Sequence, residues 1–220
     1  MISRHIKPEI ARDRLIRILR DKGISDNRVL EAFKIVPRHL FVDGAMYAQA
    51  YDDNALPIGM GQTISQPSIV ALMTQLLQLK DKKANEKILE IGTGSGFQAA
   101  ILAQFSTRVY TIERHRELGE IARKRLRTMG YENIVFKIGD GSRGWPQHAP
   151  FDKIIVTAGA PAVPDMLAEQ LADGGRMVIP IGGRDVQQLE VYSMQQGVLK
   201  KTAACDVVFV PLVGDGGWKN

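Results

Sequence analysis

The chain has 220 residues, of which 45% are hydrophobic and 24% are charged. This length and balance predict one globular domain with a sizeable buried core, and no apolar run approaches the roughly 18 residues of a membrane span. The first residues, Met1 to Lys7, lack the apolar stretch of a secretory signal, and a single cysteine, Cys205, excludes an internal disulfide. We therefore expect a reducing, cytoplasmic location.

Residue types that bind metals are scattered along the chain. One cysteine excludes a zinc site built on several thiolates. The histidines form no pair at metal-ligand spacing, so we expect no metal and place each histidine at the surface. They are His5, His39, His115 and His148.

The net charge of +5 comes from the N-terminal segment. Residues 1–40 hold ten Lys or Arg and five Asp or Glu, so the rest of the chain holds nineteen of each kind, from totals of 29 and 24. A nucleic-acid enzyme more often spreads a basic field around its cleft. The pattern is more typical of a solvated helix face, and no specific nucleic acid is expected as a partner.

The N-terminal part of the chain predicts three helices and a long loop. Apolar residues recur at helical spacing over residues 9–22 and again over residues 29–36, where Pro37 ends the second helix. Residues 52–66 are rich in Gly, Asn, Pro and Thr without periodicity, which predicts a loop of a length that is often functional. A third helix follows, with Ser65 as its expected N-cap.

From residue 87 onward, short apolar runs alternate with helical patterns. Such alternation predicts parallel pairing through right-handed crossovers, hence a doubly wound α/β sheet. Two late apolar runs without a helix between them, residues 189–194 and 205–212, predict an antiparallel pair that finishes the sheet, with Cys205 in the core. The other predicted strands are residues 87–91, 108–112, 134–138, 153–157 and 176–181, and the predicted helices are residues 97–104, 116–129 and 165–171.

A glycine-rich turn joins the first of these strands to the next helix. It reads Leu89-Glu90-Ile91-Gly92-Thr93-Gly94-Ser95-Gly96-Phe97, a G-x-G-x-G pattern rather than the G-x-G-x-x-G of dinucleotide-binding proteins. Glycines let the backbone approach a ligand closely, and this version leaves room for the amino-acid part of S-adenosylmethionine. Alone the pattern is weak, because an ordinary tight strand–helix connection has the same composition.

Two acidic residues follow the next two strands. Glu113 lies about 20 positions after the first glycine, where a carboxylate can accept hydrogen bonds from a ribose diol. Asp140, beside Gly141, is placed to meet an adenine amino group. Each could be an ordinary surface or turn residue. Together with the glycines, at the carboxyl ends of consecutive strands, they predict a nucleoside site and favour S-adenosylmethionine over NAD.

The segment after the fourth strand narrows the choice of acceptor. Methylation of a base amine generally uses an Asn/Asp-Pro-Pro-aromatic motif, whereas this chain reads Val156-Thr157-Ala158-Gly159-Ala160-Pro161. The hydroxyls and amides of residues 62–66 lead instead into a helix N-terminus, whose free N–H groups suit a carboxylate.

At these residues the chain closely resembles the protein-L-isoaspartate O-methyltransferase family. The most specific match is Gln62-Thr63-Ile64-Ser65-Gln66-Pro67, because many methyltransferases share the glycine motif. Val36-Pro37-Arg38, Gly139-Asp140-Gly141 and Val208-Phe209-Val210-Pro211-Leu212 accompany it, and the resemblance covers about residues 29–212. One departure is Phe97, where the family commonly has tyrosine.

The resemblance implies a fold, a cofactor and a reaction. The fold is the Rossmann-like sheet of S-adenosylmethionine-dependent methyltransferases over residues 81–220, preceded by a helical segment with the acceptor loop over residues 1–80, in one compact unit. The reaction is methyl transfer from S-adenosylmethionine to the α-carboxylate of L-isoaspartyl residues in damaged proteins and peptides. S-adenosyl-L-homocysteine is the product, and the ester closes to a succinimide, which begins repair. We expect a monomer whose partners are those substrates.

The resemblance also assigns site residues. Ser65 matches the catalytic hydroxyl, which would orient the carboxylate with support from the helix N-terminus, and no general base is required because the acceptor is already ionised. Substrate contacts are expected from Pro57, Ile58, Thr63 and Ile64. The expected cofactor contacts are Gln62, Thr63, Gln66, Glu90, Gly92, Thr93, Gly94, Ser95, Gly96, Glu113, Arg114, Asp140 and Gly141.

Three other functions stay open on sequence alone. The basic N-terminus motivates a methyltransferase acting on RNA or on another small carboxylate. A cofactor-binding module without catalysis is a second possibility, against which the intact acceptor loop argues. A nicotinamide oxidoreductase is the third, and the glycine spacing disfavours it.

Overall fold

A computed structural model of the protein describes residues 7–219. Its helices and strands follow the predicted order, and short 3₁₀ turns fill several connections. The helices are α1 (Pro8–Asp21), α2 (Asn27–Ile35), α3 (Pro67–Leu76), α4 (Phe97–Leu102), α5 (Arg116–Thr128) and α6 (Asp165–Ala168). The strands are β1 (Leu56–Gly59), β2 (Gln62–Ile64), β3 (Lys87–Ile91), β4 (Arg108–Glu113), β5 (Ile134–Ile138), β6 (Phe151–Val156), β7 (Leu171–Gly182), β8 (Gln187–Gln195) and β9 (Val198–Val207).

Seven of the strands form the central sheet, in the order β5-β4-β3-β6-β7-β8-β9. The strands from β5 to β7 pair in parallel, and β7, β8 and β9 pair antiparallel. The strand order reverses between β3 and β6, and ligands bind at such a reversal, beyond the carboxyl ends of the strands. The predicted α/β class and the antiparallel finish are therefore confirmed.

The last strand differs from its prediction. β9 ends at Val207, whereas the sequence predicted a strand over residues 205–212, and Cys205 is exposed rather than in the core. The reason is that β9 lies at the edge of the sheet, so fewer neighbours cover its side chains. The residues after Val207 leave the sheet and run back across the carboxyl ends of the strands, where Val210 and Leu212 bond to Gly159.

The sequence predicts a loop over residues 52–66, but part of this segment is regular structure. Strands β1 and β2 form a small antiparallel hairpin there. Leu56 pairs with Ile64 and Pro57 with Thr63, and both Leu56 and Ile64 are buried. The tip reverses through Gly59, Met60 and Gly61, all at positive φ. Glycine tolerates that conformation, so the glycines that suggested a loop form the turn of a hairpin.

One apolar core joins the N-terminal helices to the sheet. Leu19 of α1, Phe33 of α2 and Leu77 after α3 pack in the same cluster as Ile88 of β3 and Ile155 of β6. A second cluster fills the opposite face of the sheet under α6 and the short turns after β5. The N-terminal segment is thus packed on the sheet, with the hairpin beside the glycine turn. No helix within residues 7–219 is long and apolar enough to cross a membrane.

Candidate functional site

The glycine turn between β3 and α4 takes a conformation that requires glycine. Gly92, Gly94 and Gly96 have φ values of +97°, +51° and +89°. A Cβ at Gly92 would lie 2.4 Å from the Thr157 Oγ1, which donates a hydrogen bond to the Gly92 carbonyl at 2.8 Å. A Cβ at Gly96 would lie 2.8 Å from Leu126 of α5. Side chains are therefore excluded, and the backbone is left open towards the cleft.

Glu113, the last residue of β4, braces this turn. Its Oε2 accepts a hydrogen bond from the Gly94 N–H at 2.8 Å, and its Oε1 accepts one from the His115 N–H at 2.8 Å. The side chain is buried except where it borders the cleft. Each carboxylate oxygen has a second lone pair, so Glu113 keeps acceptor capacity for a diol while holding the turn.

Glu90 lies beneath the turn rather than in the cleft wall. It is fully buried, and burial, with a smaller contribution from Glu113, raises its pKa from 4.5 to about 8. Thr111 donates a hydrogen bond to Glu90 Oε2, and since that uses its only hydroxyl proton, Thr93 donates to Thr111 at 2.6 Å. Glu90 Oε1 has no hydrogen-bond partner in the described part of the chain. Glu90 therefore supports the glycine turn through its hydrogen bond with Thr111, which in turn bonds to Thr93.

Asp140 does not line the cleft, and its expected contact with adenine stays a prediction. Its Oδ1 accepts hydrogen bonds from the Ser142 N–H and hydroxyl at 2.9 and 2.7 Å, and its Oδ2 accepts one from the Asp215 N–H at 2.8 Å. These bonds hold the pKa of Asp140 below its ordinary value against the opposing effect of burial. The carboxylate thus caps the turn at Gly141 and fastens the C-terminal tail, while Gly141 itself lines the cleft.

The acceptor loop faces the glycine turn across the cleft. Ser65 follows β2 directly, is half-buried and lines the cleft, and its carbonyl accepts a hydrogen bond from Arg38 at 2.8 Å. Within residues 7–219 its hydroxyl has no hydrogen-bond partner. That hydroxyl is therefore free to donate to a ligand in the cleft.

The expected cap of α3 is wrong. The N-cap residue is Gln66, and Asp53 supplies the capping oxygen from outside the helix by accepting from the Ser68 N–H at 2.8 Å. Asp53 also accepts from Gln66 and pairs with Lys22 at 2.7 Å. The hypothesis that this helix N-terminus supports the acceptor carboxylate is therefore wrong as well, because a carboxylate of the protein already occupies it.

Eleven of the predicted site residues meet in one cleft. Six of the predicted residues do not line the cleft, and four of these have other contacts. Gly96 packs on Leu126, and Gln66 bonds to Asp53. Glu90 bonds to Thr111 beneath the glycine turn, and Asp140 bonds to the C-terminal tail. The remaining two, Pro57 and Ile58, are in β1, beside the cleft. The predicted residues that line the cleft are Gln62, Thr63, Ile64, Ser65, Gly92, Thr93, Gly94, Ser95, Glu113, Arg114 and Gly141.

The cleft also contains residues that the sequence did not predict. His115 was expected at the surface, yet it is half-buried in the cleft wall, and its place two residues after Glu113 could have signalled this. Val70 and Met73 of α3 and Gln98 of α4 add apolar and amide surface. The tail from Val210 to Val213 also lines the cleft; most of it lies in the Val208–Leu212 family match, to which no site role was assigned.

The donor set of this cleft fits S-adenosylmethionine better than a metal. The glycine turn is a cradle that a Cβ would fill, and Glu113 lies beside it as an acceptor for hydroxyl groups. Apolar walls from Ile91, Ile112 and Leu212 suit a base or a thioether. Across residues 7–219 no group of three or more His, Cys, Asp or Glu side chains is arranged to hold a metal ion.

Comparisons with known proteins agree on one family. Residues 10–217 match the family model described as protein-L-isoaspartate(D-aspartate) O-methyltransferase. Proteins named protein-L-isoaspartate O-methyltransferase are 52% identical over 212 residues in Dictyoglomus thermophilum and 54% identical over 212 residues in Geobacter metallireducens. These alignments cover 96% of this chain and 95% and 97% of the relatives.

Two solved structures extend the comparison. One named protein-L-isoaspartate O-methyltransferase superposes with a TM-score of 0.83 at 30% identity, covering 93% of this chain and 66% of that one. The other, a Plasmodium falciparum protein solved in complex with S-adenosyl-L-homocysteine, has a TM-score of 0.78 at 24% identity, covering 91% and 97% of the two chains. At that identity the second likeness shows the fold.

Proposed function

The chain belongs to the protein-L-isoaspartate(D-aspartate) O-methyltransferase family, and from that premise we propose that Ser65 holds the acceptor carboxylate in its cleft. The protein is an S-adenosylmethionine-dependent methyltransferase that esterifies L-isoaspartyl residues and so begins their repair. The observation that carries the proposal for Ser65 is its free hydroxyl, which borders the same cleft as the glycine turn.

The reaction requires little acid–base catalysis from the protein. S-adenosylmethionine supplies a methyl group already activated by the positive charge on its sulfur. A carboxylate is ionised at neutral pH, so no side chain has to remove a proton from it. What remains for the protein is to hold the acceptor oxygen in line with the methyl group at near-attack distance, away from water.

On the acceptor side, Ser65 donates its hydroxyl proton to the substrate carboxylate and fixes its direction. The buried Ile64 beside it helps to exclude water, and Thr63 offers a second hydroxyl at the entrance. Because α3 is capped by Asp53, the Ser65 hydroxyl orients the carboxylate without help from the helix N-terminus.

On the donor side, the residues divide into those that touch the cofactor and those that brace them. Glu113 accepts hydrogen bonds from the ribose hydroxyls, and the backbone at Gly92 and Gly94 lies against the amino-acid part. Thr93 borders the cleft and carries the link to Glu90, which acts from beneath. Within the Gly139-Asp140-Gly141 motif, Gly141 is the residue that contacts the nucleoside.

Selectivity for isoaspartate follows from the path of the peptide backbone. In an isoaspartyl residue the chain continues through the side-chain carbonyl, so the α-carboxylate is free to enter the cleft. The edge of the hairpin at Pro57, Ile58 and Thr63 lies beside the cleft and offers backbone groups to the peptide. Recognition through backbone groups tolerates many surrounding sequences, as repair requires.

We assign the two halves of the chain different tasks: residues 1–80 bind the acceptor and residues 81–220 bind the donor. Arg38, the hairpin and α3 lie on one side of the cleft and the glycine turn on the other, which supports this division. We expect a monomeric enzyme, and the free thiol of Cys205 suits a reducing cytoplasm.

The role of Ser65 is tested with Ser65→Ala and labelled S-adenosylmethionine. A positioning hydroxyl predicts a loss of kcat below about 100-fold with an isoaspartyl peptide, with the affinity for S-adenosylhomocysteine unchanged. The matched control, Ser25→Ala, removes an exposed hydroxyl that does not line the cleft and should retain full activity. Full activity of Ser65→Ala would remove Ser65 from the mechanism.

A further inference from the structure

Arg38 is the most deeply buried charged side chain near the acceptor loop, and the reaction as described does not use it. Its side chain is 1% exposed, and burial lowers its pKa to about 9, so it stays protonated at neutral pH. Among the described residues no carboxylate forms an ion pair with it, and Asp53 acts on it only at longer range. Burying a cation without a counter-ion is costly, so a purely structural explanation is weak.

The guanidinium binds backbone carbonyls from both sides of the hairpin. Its Nε donates to the Ala50 carbonyl at 2.9 Å, and one terminal nitrogen donates to the Ser65 carbonyl at 2.8 Å and the Asn54 carbonyl at 3.4 Å. Asn54 precedes β1 and Ser65 follows β2, so one rigid fork gathers both ends of the acceptor hairpin.

The same guanidinium rests on the start of α4. It lies over the Phe97 ring at 4.9 Å, and Phe97 is the first residue after the glycine turn. Phe41 meets the Phe97 ring edge-on at 5.4 Å, and Arg125 lies over Phe41 at 5.8 Å while donating to the Ser95 carbonyl at 2.7 Å. Two arginines packed on the Phe97 and Phe41 rings therefore hold the two walls of the cleft. Arg38 holds the acceptor loop, and Arg125 holds the glycine turn.

We propose that Arg38 is a positioning residue for methyl transfer: its guanidinium rests on Phe97 and bonds to the Ser65 carbonyl, and so fixes the Ser65 hydroxyl relative to the glycine turn. The inference rests on the role of Ser65 proposed above. Arg38 touches neither substrate nor cofactor, and it acts through Ser65. Lysine keeps the charge but not the fork, so it cannot hold three carbonyls in fixed directions.

A double-mutant cycle tests this coupling. The kcat for an isoaspartyl peptide is measured for the wild type, Arg38→Lys, Ser65→Ala and the double variant, and calorimetry gives the Kd for S-adenosylhomocysteine. Arg38→Lys should lower kcat about tenfold in the wild type and less than about twofold in the Ser65→Ala background. The Kd should change less than about twofold in both.

Arg125→Lys is the matched control, since it loosens the carbonyl of Ser95 instead. It should raise the Kd for S-adenosylhomocysteine, and its effect on kcat should be the same with or without the Ser65 hydroxyl. If Arg38→Lys fails to fold, Phe97→Leu withdraws the ring beneath the guanidinium and should reproduce the dependence on Ser65.

Equal losses of kcat for Arg38→Lys in both backgrounds would overturn the proposal, as would a lowered melting temperature with unchanged kcat. Full activity of Ser65→Ala would end both this inference and the role given to Ser65. Absence of methyl transfer to the isoaspartyl peptide by the wild type would contradict the proposed reaction itself, so the three failures are distinguishable.

Discussion

Two glutamates on neighbouring strands show how position decides what a carboxyl group does. Glu90 on β3 is enclosed beneath the glycine turn, where burial favours its neutral form. Glu113 on β4 accepts from two backbone N–H groups and borders the cleft. The same residue type thus supports the turn from inside and offers acceptor atoms to a ligand from the edge.

Glu113→Gln tests the donor side of the cleft. An amide keeps one acceptor oxygen but turns an NH₂ group towards the N–H of Gly94 or His115, which costs one bond and adds a repulsion. We expect the affinity for S-adenosylhomocysteine to fall about tenfold or more by calorimetry. Glu120→Gln, an exposed change on α5, is the control and should leave the affinity unchanged. Unchanged affinity of Glu113→Gln would exclude Glu113 from nucleoside binding.

Glu90→Gln should change how stability depends on pH. Because the folded protein raises the Glu90 pKa from 4.5 to about 8, this group's contribution to stability is complete below pH 4.5 and is lost as the pH rises through 8. The wild type should therefore lose melting temperature relative to Glu90→Gln between about pH 5 and about pH 8.5. A constant difference across that range would show that folding does not raise the pKa of Glu90.

Sequence spacing located Glu113 and the glycines because strand, turn and helix are consecutive there. It did not indicate that the Asp140 carboxylate also accepts a hydrogen bond from the Asp215 N–H, 75 residues away. No local pattern reports such a distant partner. Arg38 belongs to the Val36-Pro37-Arg38 family match, but its burial and its three carbonyl partners depend on the fold and carry no local signal.

At the scale of elements, α3 carries the acceptor loop and is fastened at both ends. Asp53 caps its first turn, and at its other end Arg176 donates to the Leu76 carbonyl and Lys153 to the Gln78 carbonyl. Both cations belong to strands of the central sheet, so the helix is placed directly against the donor-binding core.

Asp53→Ala should destabilise the protein by about 1 kcal/mol, the usual cost of a lost N-cap. Burial opposes ionisation of Asp53, but Lys22 and its hydrogen bonds outweigh burial and hold the Asp53 pKa below its ordinary value. This stability therefore exists above the unfolded pKa and is lost as the pH falls through the folded one. Denaturant unfolding at neutral and acid pH should show the gap to the wild type closing in acid. Asp52→Ala, an exposed neighbour, should show no such gap at either pH.

Gly214→Ala tests the C-terminal tail. A Cβ there would lie 2.0 Å from Asp140 Oδ1, and Asp140 is held in place by three hydrogen bonds. We expect a lower melting temperature together with weaker S-adenosylhomocysteine binding, because the displaced tail also forms cleft wall at Leu212. Gly44→Ala, where a Cβ meets nothing within 4 Å, is the control. Normal binding by Gly214→Ala would show that the tail does not shape the cleft.

Most elements were predictable, and the exceptions have physical causes. Periodicity located α1, α2, α3 and the parallel strands to within a few residues. The hairpin of β1 and β2 was missed because its strands are four and three residues long and their pairing depends on a turn at positive φ. The end of strand β9 was misplaced because Phe209 and Leu212 are buried where the tail crosses the sheet and not by pairing within a strand.

At the scale of the whole molecule, the cleft exists because two parts of the chain meet. The acceptor loop comes from the N-terminal segment, the glycine turn from the sheet, and the tail closes a third side. One apolar core runs through the first two, so their relative position is set by packing. Sequence motifs identified both walls, while the distance and angle between them depended on that packing.

The most direct test is methyl transfer to a matched pair of peptides that differ only in having isoaspartate or aspartate at one position. With labelled S-adenosylmethionine, the account predicts base-labile label on the isoaspartyl peptide alone, because only there is the α-carboxylate free of the backbone. Equal labelling of both peptides, or of neither while S-adenosylhomocysteine still binds, would contradict it.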